Sequence, residues 1–382
     1  MRNTFFLVLA VFSISIFAQV KTGRENSFAF DFLKKTTSLD SNTFFSPYSI
    51  SCAMAMTYNG SKEKTKKQIM KIMYFNNDFK ITNSYYNKNN NIYSSYEKTD
   101  NFKLNIANAL WISNTIKIKG SFKKITEKYY DASLHNCIDA DKINTWADNN
   151  TNHMIPELVK KEDVSNAGLV LTNAIYFYGT WVQKFDSSKT KNEDFTTGEN
   201  EVVQTPMMQQ TTKILYSEYA EFKMVSLPYE GDKTEMLLII NKKDYDFKKS
   251  LNEFSISTFN SLCSSLEGRK LKLKIPKFKI ETSYKLKDIL MQMGMSLAFS
   301  EDADFSGISD GLYINEVIHK AVLEVSEEGT KAAAATAVVM RNSASLSTQF
   351  FANRPFIVVI KDKTTGNILF MGTIVNPSTM KK

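Results

Sequence analysis

The chain has 382 residues, of which 43% are hydrophobic and 12% aromatic, so it is long and apolar enough to bury a large core. Its formal net charge of +8 is small for this length and the basic residues are dispersed, which argues against a nucleic-acid-binding protein. The three cysteines, Cys52, Cys137 and Cys263, lack CxxC spacing, so a disulfide framework does not hold the fold, and a pairing of Cys137 with Cys263 stays open.

The chain opens with an apolar run from Thr4 to Ala18, which Arg2 precedes. Because this run is too short to cross a bilayer comfortably, we expect residues 1–18 to be a cleaved signal peptide. Residues 19–382 are then expected to be secreted and extracellular, with no membrane association. Asn59 and Asn149 begin sequons and are the candidate glycosylation sites of a secreted glycoprotein.

Helical patterns dominate the first part of the mature chain. Ser46 and Pro47 provide a cap and a first-turn proline for one helix, which ends at Asn59-Gly60. The polar stretch from Asn83 to Asn101 fits no clear pattern. The predicted helices are Asn26–Thr37, the segment after Ser46, Ser61–Met73, Ile143 to the turn before Pro156, Phe247–Leu266 and Ser283–Met293.

Strand-like runs follow in the middle and at the C-terminus. Leu169 to Tyr178 is continuously apolar, which is typical of a strand covered on both faces, and its polar member Asn173 will need hydrogen-bond partners. The last two runs form a hairpin with a glycine-bearing loop. The predicted strands are Leu104–Ile112, Leu169–Tyr178, Phe222–Tyr229, Met236–Asn241, Phe356–Ile360 and Ile368–Val375. With no repeat and no flexible linker, one mixed domain is expected.

Alternating lysines mark a further strand, which Pro276 breaks. The solvated face of that strand is the favoured interpretation, and a polyanion site there, or on the lysines from Lys64 to Lys71, is the alternative. The alternating residues are Lys270, Lys272, Lys274, Lys277 and Lys279.

Residues for chemistry of the chain's own are sparse. The three histidines are far apart, and no HExxH motif or phosphate loop occurs, so neither a metal nor a cofactor is expected. Gly307 to Gly311 fits the G-x-S-x-G nucleophile elbow around Ser309. The elbow needs a strand before it and a helix after it, whereas here loop-like residues precede it and strand-like residues follow. We expect a chance match and no enzyme, with His319 a structural histidine inside a sheet.

The segment from Glu327 to Met340 has no bulky residue before Val338. By composition alone it suits an exposed alanine-rich linker or a short helix. Read with a period of two, it presents a face that is small or apolar and uncharged, and such a face can be buried in a central strand. The residues of this face are Thr330, Ala332, Ala334, Thr336, Val338 and Met340.

From about Asn26 to Pro377 the chain resembles the serpin family of serine protease inhibitors. The resemblance implies an α+β serpin fold, a single domain of three β-sheets and eight or nine α-helices, with an exposed reactive-centre loop at about residues 327–352. The matching stretches, specific in combination and order, are Phe44–Ile50, Leu171–Phe177, Gly179–Trp181, Leu273–Phe278, Ile318–Ala321, the segment after Glu327, and Asn353–Phe356 with Gly372.

The resemblance also assigns roles to residues. It makes Trp181 the breach residue at the top of the main sheet, where the loop enters. The implied shutter beneath the sheet consists of Ser46, Ser49, Asn173 and His319. The implied hinge consists of Glu327, Glu328, Gly329, Thr330, Lys331, Ala332, Ala333, Ala334, Ala335 and Thr336.

The implied activity is suicide inhibition of a serine protease, with a cysteine protease as the alternative target. The protease forms an acyl-enzyme with the loop, which then inserts into the main sheet as a new strand. In serpins the cleaved bond usually lies about fourteen residues beyond the hinge glycine, which gives Ser343-Ala344 and an elastase-like target, whereas Arg341-Asn342 would suit a trypsin-like target. The alternative is a non-inhibitory carrier or chaperone that proteases cleave as a plain substrate.

The remaining expectations concern partners. We expect a monomer that binds neither nucleic acid nor membrane. A polyanion such as heparin has only weak support, because Lys88 and Lys98 are too sparse to form the basic cluster of heparin-binding serpins.

Overall fold

The computed structural model describes residues 23–96, 101–130, 132–242, 246–330 and 348–378. Within these residues the chain forms nine α-helices, in agreement with the expected eight or nine. The helices are α1 (Ser27–Thr36), α2 (Pro47–Gly60), α3 (Glu63–Met73), α4 (Phe79–Ser94), α5 (Gly120–Tyr130), α6 (Ala140–Asn150), α7 (Phe247–Glu253), α8 (Ile256–Ser264) and α9 (Lys287–Gln292).

The same residues form fifteen strands in two hydrogen-bonded sheets. The strands are β1 (Thr43–Phe45), β2 (Phe102–Ile112), β3 (Ser133–His135), β4 (Leu169–Thr180), β5 (Lys191–Thr196), β6 (Val202–Tyr219), β7 (Phe222–Pro228), β8 (Thr234–Asn241), β9 (Glu267–Pro276), β10 (Phe278–Lys285), β11 (Glu316–Val325), β12 (Gly329–Thr330), β13 (Thr348–Phe351), β14 (Phe356–Asp362) and β15 (Ile368–Ile374).

The main sheet has six strands in the order β10-β11-β12-β4-β2-β3. Its central strand β4 is the continuous apolar run of the sequence, and it is buried along its length except at Tyr178. β2 pairs antiparallel along one side of β4, and β11 pairs parallel along part of the other. Apolar residues on both faces of β4 are explained by the layers that cover it, α2 on one side and α6 on the other.

The second sheet runs β1-β15-β14-β8-β7-β6-β9-β13, with β5 also on β6. The 18-residue strand β6 pairs with β5, β9 and β7 along its length, so the two smaller sheets of the expected fold are continuous through it. α2 contacts both sheets and is buried all round except at Asn59. A helix of this kind shows no polar stripe and occupies the centre of the core.

Some element boundaries differ from the predictions. The predicted helix Ser283–Met293 is wrong at its start, because β10 extends to Lys285 and α9 begins only at Lys287. The predicted helix Phe247–Leu266 is two helices, because Ser255 caps a new one by accepting from the Thr258 amide. The unassigned polar stretch contains most of α4, whose buried face consists mainly of asparagine and tyrosine side chains. Among the described residues, no helix is long and apolar enough to cross a membrane.

Candidate functional site: the opening in the main sheet

The main sheet opens between β11 and β4 at one end. The two strands pair directly from Glu316–Ala321 to Val170–Ile175. Beyond this stretch the two-residue strand β12 lies between them, with Thr330 opposite both Val325 of β11 and Gly179 of β4. β12 runs antiparallel to both neighbours, so its direction points into the gap between β4 and β11.

Gly329 fits this gap for two reasons. Its φ of +148° is a backbone conformation that other residues rarely adopt. A Cβ on Gly329 would also lie 2.1 Å from the carbonyl oxygen of Gly179 on the neighbouring strand. The first loop residue in the sheet therefore has to be glycine.

Two aromatic residues line the same opening. Trp181 is almost fully buried, stacks on Tyr229 with ring centroids 4.6 Å apart, and donates from its indole nitrogen to the Ser326 carbonyl at 3.0 Å. Its backbone nitrogen donates to the Glu328 carbonyl at 2.9 Å. The Tyr229 hydroxyl and the Thr330 hydroxyl lie 2.7 Å apart, and burial raises the pKa of Tyr229. Trp181 thus holds the turn before β12, and Tyr229 holds β12 itself.

Two ion pairs fix the residues that precede β12. Lys277 lies 2.8 Å from the Glu327 carboxylate, which also accepts from Thr190 at 2.8 Å. Burial of Glu327 acts against its ionisation, but the bonds from Lys277 and Thr190 outweigh burial and hold its pKa below the usual value. Lys184 lies 2.8 Å from Glu328, and this bond raises the pKa of Lys184.

A buried polar cluster joins β11, β4 and α2 farther along the sheet. His319 is fully buried, accepts at Nε2 from the Ser46 backbone N–H at 3.0 Å, and donates from Nδ1 to Asn173 Oδ1 at 2.6 Å. The Asn173 amide donates to Ser49 and, at 2.6 Å, to Asn108 on β2. Ser46 caps α2 by accepting from the Ser49 amide. The structure therefore brings Ser46, Ser49, Asn173 and His319 into one hydrogen-bonded cluster.

The cluster contains a neutral imidazole. Burial lowers the pKa of His319 to about 3, because a protonated ring there would have no water around it. Asn173 and His319 are directly opposite one another in the parallel pair of β4 with β11. The cluster therefore ties the two strands together below the opening.

Part of the sequence-predicted site lies outside the described residues. This applies to the hinge residues Lys331, Ala332, Ala333, Ala334, Ala335 and Thr336, to both candidate bonds, Ser343-Ala344 and Arg341-Asn342, and to the predicted signal peptide. The hinge residues from Glu327 to Thr330, together with Trp181, lie at the opening just described.

The two candidate glycosylation sites differ in the structure. The Asn59 amide nitrogen donates to the Ala55 carbonyl and to Asn83, both at 2.8 Å, and to Tyr130 at 3.0 Å. A glycan on that nitrogen would break these bonds, so the structure contradicts Asn59 as a site. Asn149 is exposed on α6 and remains the candidate.

The structure also answers the questions about cysteines and the serine motif. Cys52, Cys137 and Cys263 are all free, so Cys137 and Cys263 do not pair. Ser309 lies in a loop with no strand before it and no helix after it, while His319 is engaged in the buried cluster. The geometry of a nucleophile elbow is therefore absent at Ser309. In the described part of the chain, no group of three His, Cys, Asp or Glu side chains could hold a metal ion.

Sequence reasoning missed several residues of the site. Asn108 was detectable as a polar residue inside the predicted strand Leu104–Ile112, by the same argument that singled out Asn173. Tyr229, Lys184 and Lys277 carry no such signal, because their roles depend on contacts with chain segments far away in sequence.

Comparisons with known proteins agree on one family. The family model described as "Serpin (serine protease inhibitor)" matches residues 24–377. An uncharacterised serpin-like protein of Thermococcus kodakarensis is 36% identical over 369 residues, covering 92% of this chain and 84% of that protein. Human serpin B3 is 35% identical over 381 residues, covering 92% and 97%.

Solved structures give the same result. The thermophilic serpin tengpin in its native state superposes with a TM-score of 0.85 at 28% identity, covering 92% of this chain and 93% of tengpin. Human thyroxine-binding globulin in complex with thyroxine superposes with a TM-score of 0.84 at 28% identity, covering 93% of this chain and 98% of that protein.

Proposed function

The chain belongs to the serpin family, and from this premise we propose that it is a secreted suicide inhibitor of serine-type endopeptidases. The family generally acts on target proteases. The proposal is that residues after Thr330 form the bait loop, and that this loop enters the main sheet after cleavage. Secretion rests on the apolar run Thr4–Ala18 and remains part of the proposal.

The observation that carries the proposal is the register of β12. Thr330 pairs with Gly179 and Val325, and each further residue would pair one position along both strands. Six positions along, Thr336 would lie between Asn173 and His319. An extended β12 would therefore run from the opening to the polar cluster, in the gap between β4 and β11.

The side chains of the hinge are compatible with burial in an extended β12. Thr330 points towards Tyr229 in the core, so every second residue after it would share that inward face. Those residues, from Ala332 to Met340, are small or apolar and uncharged. A charge there would slow insertion through its desolvation cost. Lys331 would lie on the other face, beside Glu324 of β11.

The chemistry of inhibition uses the nucleophile of the protease. Its serine attacks the carbonyl of the scissile bond, the new amino terminus leaves, and an acyl-enzyme remains on the upstream residue. Insertion of the severed loop then separates the two ends of the cleaved bond, which prevents religation and draws the acyl-enzyme away before water can release it. The driving force is the strand that the main sheet gains.

Incubation with trypsin and with elastase at equimolar amounts tests this function. We expect an SDS-stable complex and a released C-terminal peptide, whose mass identifies the bond. A peptide beginning at Ala344 assigns Ser343-Ala344, and one beginning at Asn342 assigns Arg341-Asn342. Arg341→Gln should abolish the trypsin complex only in the second case.

A carrier without inhibitory activity is the second candidate, since thyroxine-binding globulin shares this fold. Clean loop cleavage by both proteases, with no SDS-stable complex, would favour the carrier and reject the inhibitor.

A further inference from the structure

We propose that a cluster of lysines beside the loop is a docking surface for an acidic face of the attacking protease. We define this lysine face as Lys213 on β6 together with Lys270, Lys272 and Lys274 on β9. The inference rests on the proposed function only in taking the loop as the place of attack.

The lysine face concentrates positive charge on the solvent side of two neighbouring strands. On β9 the lysines alternate with Leu271 and Leu273, which are fully buried. Lys213 lies directly opposite Lys270 in the antiparallel pair of β6 with β9. The pairing therefore places two lysines side by side on adjacent strands.

Two of these charges are not neutralised within the described part of the chain. Lys274 forms an ion pair with Glu193 on β5, at 2.6 Å. Lys213 and Lys272 have no carboxylate within ion-pair distance among the described residues, whereas the neighbouring Arg269 is paired with Glu267. The Lys272 ammonium instead lies 5.9 Å from the centre of the Phe351 ring. Exposed Lys213 and half-buried Lys272 therefore place two positive charges on adjacent strands, neither with a carboxylate partner among the described residues.

The position of the lysine face relative to the bait follows from chain length. β13 pairs with β9, with Gln349 opposite Lys272. Thr348, the first residue of β13, is four residues after Ala344, so the bond Ser343-Ala344 lies within about 14 Å of β13. For Arg341-Asn342 the limit is about 21 Å.

A protease on either bond covers this part of the surface. A compact protease of about 220 residues has a radius of gyration of about 17 Å, so its body extends over β13 and the strand beside it. Fixed charges at the edge of a protein–protein contact act mainly on the rate of encounter, raising it about 10- to 1,000-fold for an oppositely charged partner. The lysine face therefore favours proteases with an acidic surface around the active site.

Charge reversal at the two free lysines tests the inference. The variant K213E/K272E is compared with K64E/K67E, which makes the same change of net charge on exposed residues of α3. α3 is a suitable control site because it lies near the end of β11 that is remote from β12. Gln68 on α3 accepts from the Leu297 amide, and the segment that contains Leu297 leads to the start of β11. The probes are anionic and cationic trypsin, and the readout is the second-order rate constant for loss of the intact chain.

We expect K213E/K272E to lower the rate with anionic trypsin about tenfold at low salt, and K64E/K67E to leave it nearly unchanged. K213Q/K272Q should give an intermediate loss with milder disturbance of the strands. The difference should vanish at about 1 M salt, where the Debye length is about 3 Å. With cationic trypsin, K213E/K272E should not lower the rate.

Loss of intact chain counts complexes and nicked products alike, so the rate stays readable even if no complex forms and the inhibitor proposal fails. Equal losses in the two charge-reversed variants, or none in K213E/K272E, would overturn the docking surface. Retention on immobilised heparin that depends on Lys213 and Lys272, with unchanged rates of attack, would assign the lysine face to a polyanion and would also overturn it. Thermal unfolding of each variant verifies that it is folded.

Discussion

His319 occupies the point where β4 and β11 are joined below the opening of the main sheet. It satisfies both ring nitrogens without a charge, through Ser46 and Asn173. Removing the side-chain partner, Asn173, would leave the buried Nδ1–H without a hydrogen bond, which costs about 1–3 kcal/mol. The cluster is therefore stable only in its complete, neutral form.

Acid should weaken the fold through His319. Its pKa falls to about 3 in the folded chain from 6.5, so the unfolded chain binds the proton first as pH falls. The contribution of neutral His319 to the free energy of unfolding is complete above pH 6.5. It decreases as the pH falls from 6.5 to 3, by up to about 1.4 kcal/mol per pH unit. Denaturant unfolding between pH 8 and pH 4 measures the slope, with His319→Gln as the variant and exposed His153→Gln as the control. An identical slope in wild type and His319→Gln would contradict this assignment.

At the residue scale, the sequence predicts which polar side chains in buried strands need hydrogen-bond partners. Asn173 lies in an apolar run and must find partners, and Asn108 follows from the same logic. The role of Tyr229 does not, because a buried tyrosine hydroxyl also needs a hydrogen bond but the sequence does not indicate its partner. Its bond to Thr330 depends on how β12 enters the sheet, which no local pattern of residues encodes.

At the scale of elements, the described part of β12 comprises Gly329 and Thr330. Gly329 and Thr330 pair on both sides, and the direct pairing of β4 with β11 lies farther along the same gap. Extending β12 means breaking that pairing and the bond between Asn173 and His319. The inserted strand would replace both.

Thr336 should help to satisfy the cluster after insertion. Thr336→Val keeps the shape but removes the hydroxyl that would lie between Asn173 and His319, so the cleaved, inserted form should lose about 1–3 kcal/mol. The uncleaved form should be unaffected. Thr330→Val is the matched control and should weaken the uncleaved form, because its bond to Tyr229 already exists there. Thermal unfolding of cleaved and uncleaved samples separates the two, and equal losses in both forms of Thr336→Val would refute the register.

The ion pair between Glu327 and Lys277 should stabilise the start of the hinge. Lys277 is 41% exposed, so solvent screens the pair and we expect a coupling of only about 0.5–1 kcal/mol. A double-mutant cycle with Glu327→Gln and Lys277→Met in urea unfolding measures it. Losses that simply add in the double variant would show that the pair contributes nothing.

The errors in the predicted elements have one common cause. α4 buries polar side chains that bond to other elements, Asn83 to Asn59 on α2 and Tyr93 to Asn367 before β15, so no apolar stripe marks it. The start of α9 was placed too early because β10 continues to Lys285, where pairing with β11 overrides the helical pattern. In both cases partners distant in the sequence decide the structure. The long apolar strands and the capped helix α2 needed no such partners to be predicted.

At the scale of the whole molecule, we propose that the main sheet accepts one more strand between β4 and β11, which pair directly beyond β12 in the present structure. The chain contains a segment whose alternate face is small or apolar and uncharged, as such a strand requires. Under the proposed mechanism, a kinetic barrier would hold the uncleaved protein, because a loop tethered at both ends could not extend β12 along the gap. Cleavage would remove that restraint.

Thermal unfolding before and after a single cut in the loop tests this account most directly. Limited trypsin or elastase treatment produces the cleaved form, with the cut verified by mass spectrometry. The account predicts a large rise in the unfolding temperature, because the inserted strand adds backbone hydrogen bonds on both sides and buries its apolar face. A cleaved protein that unfolds at the same temperature as the intact one, or lower, would contradict insertion.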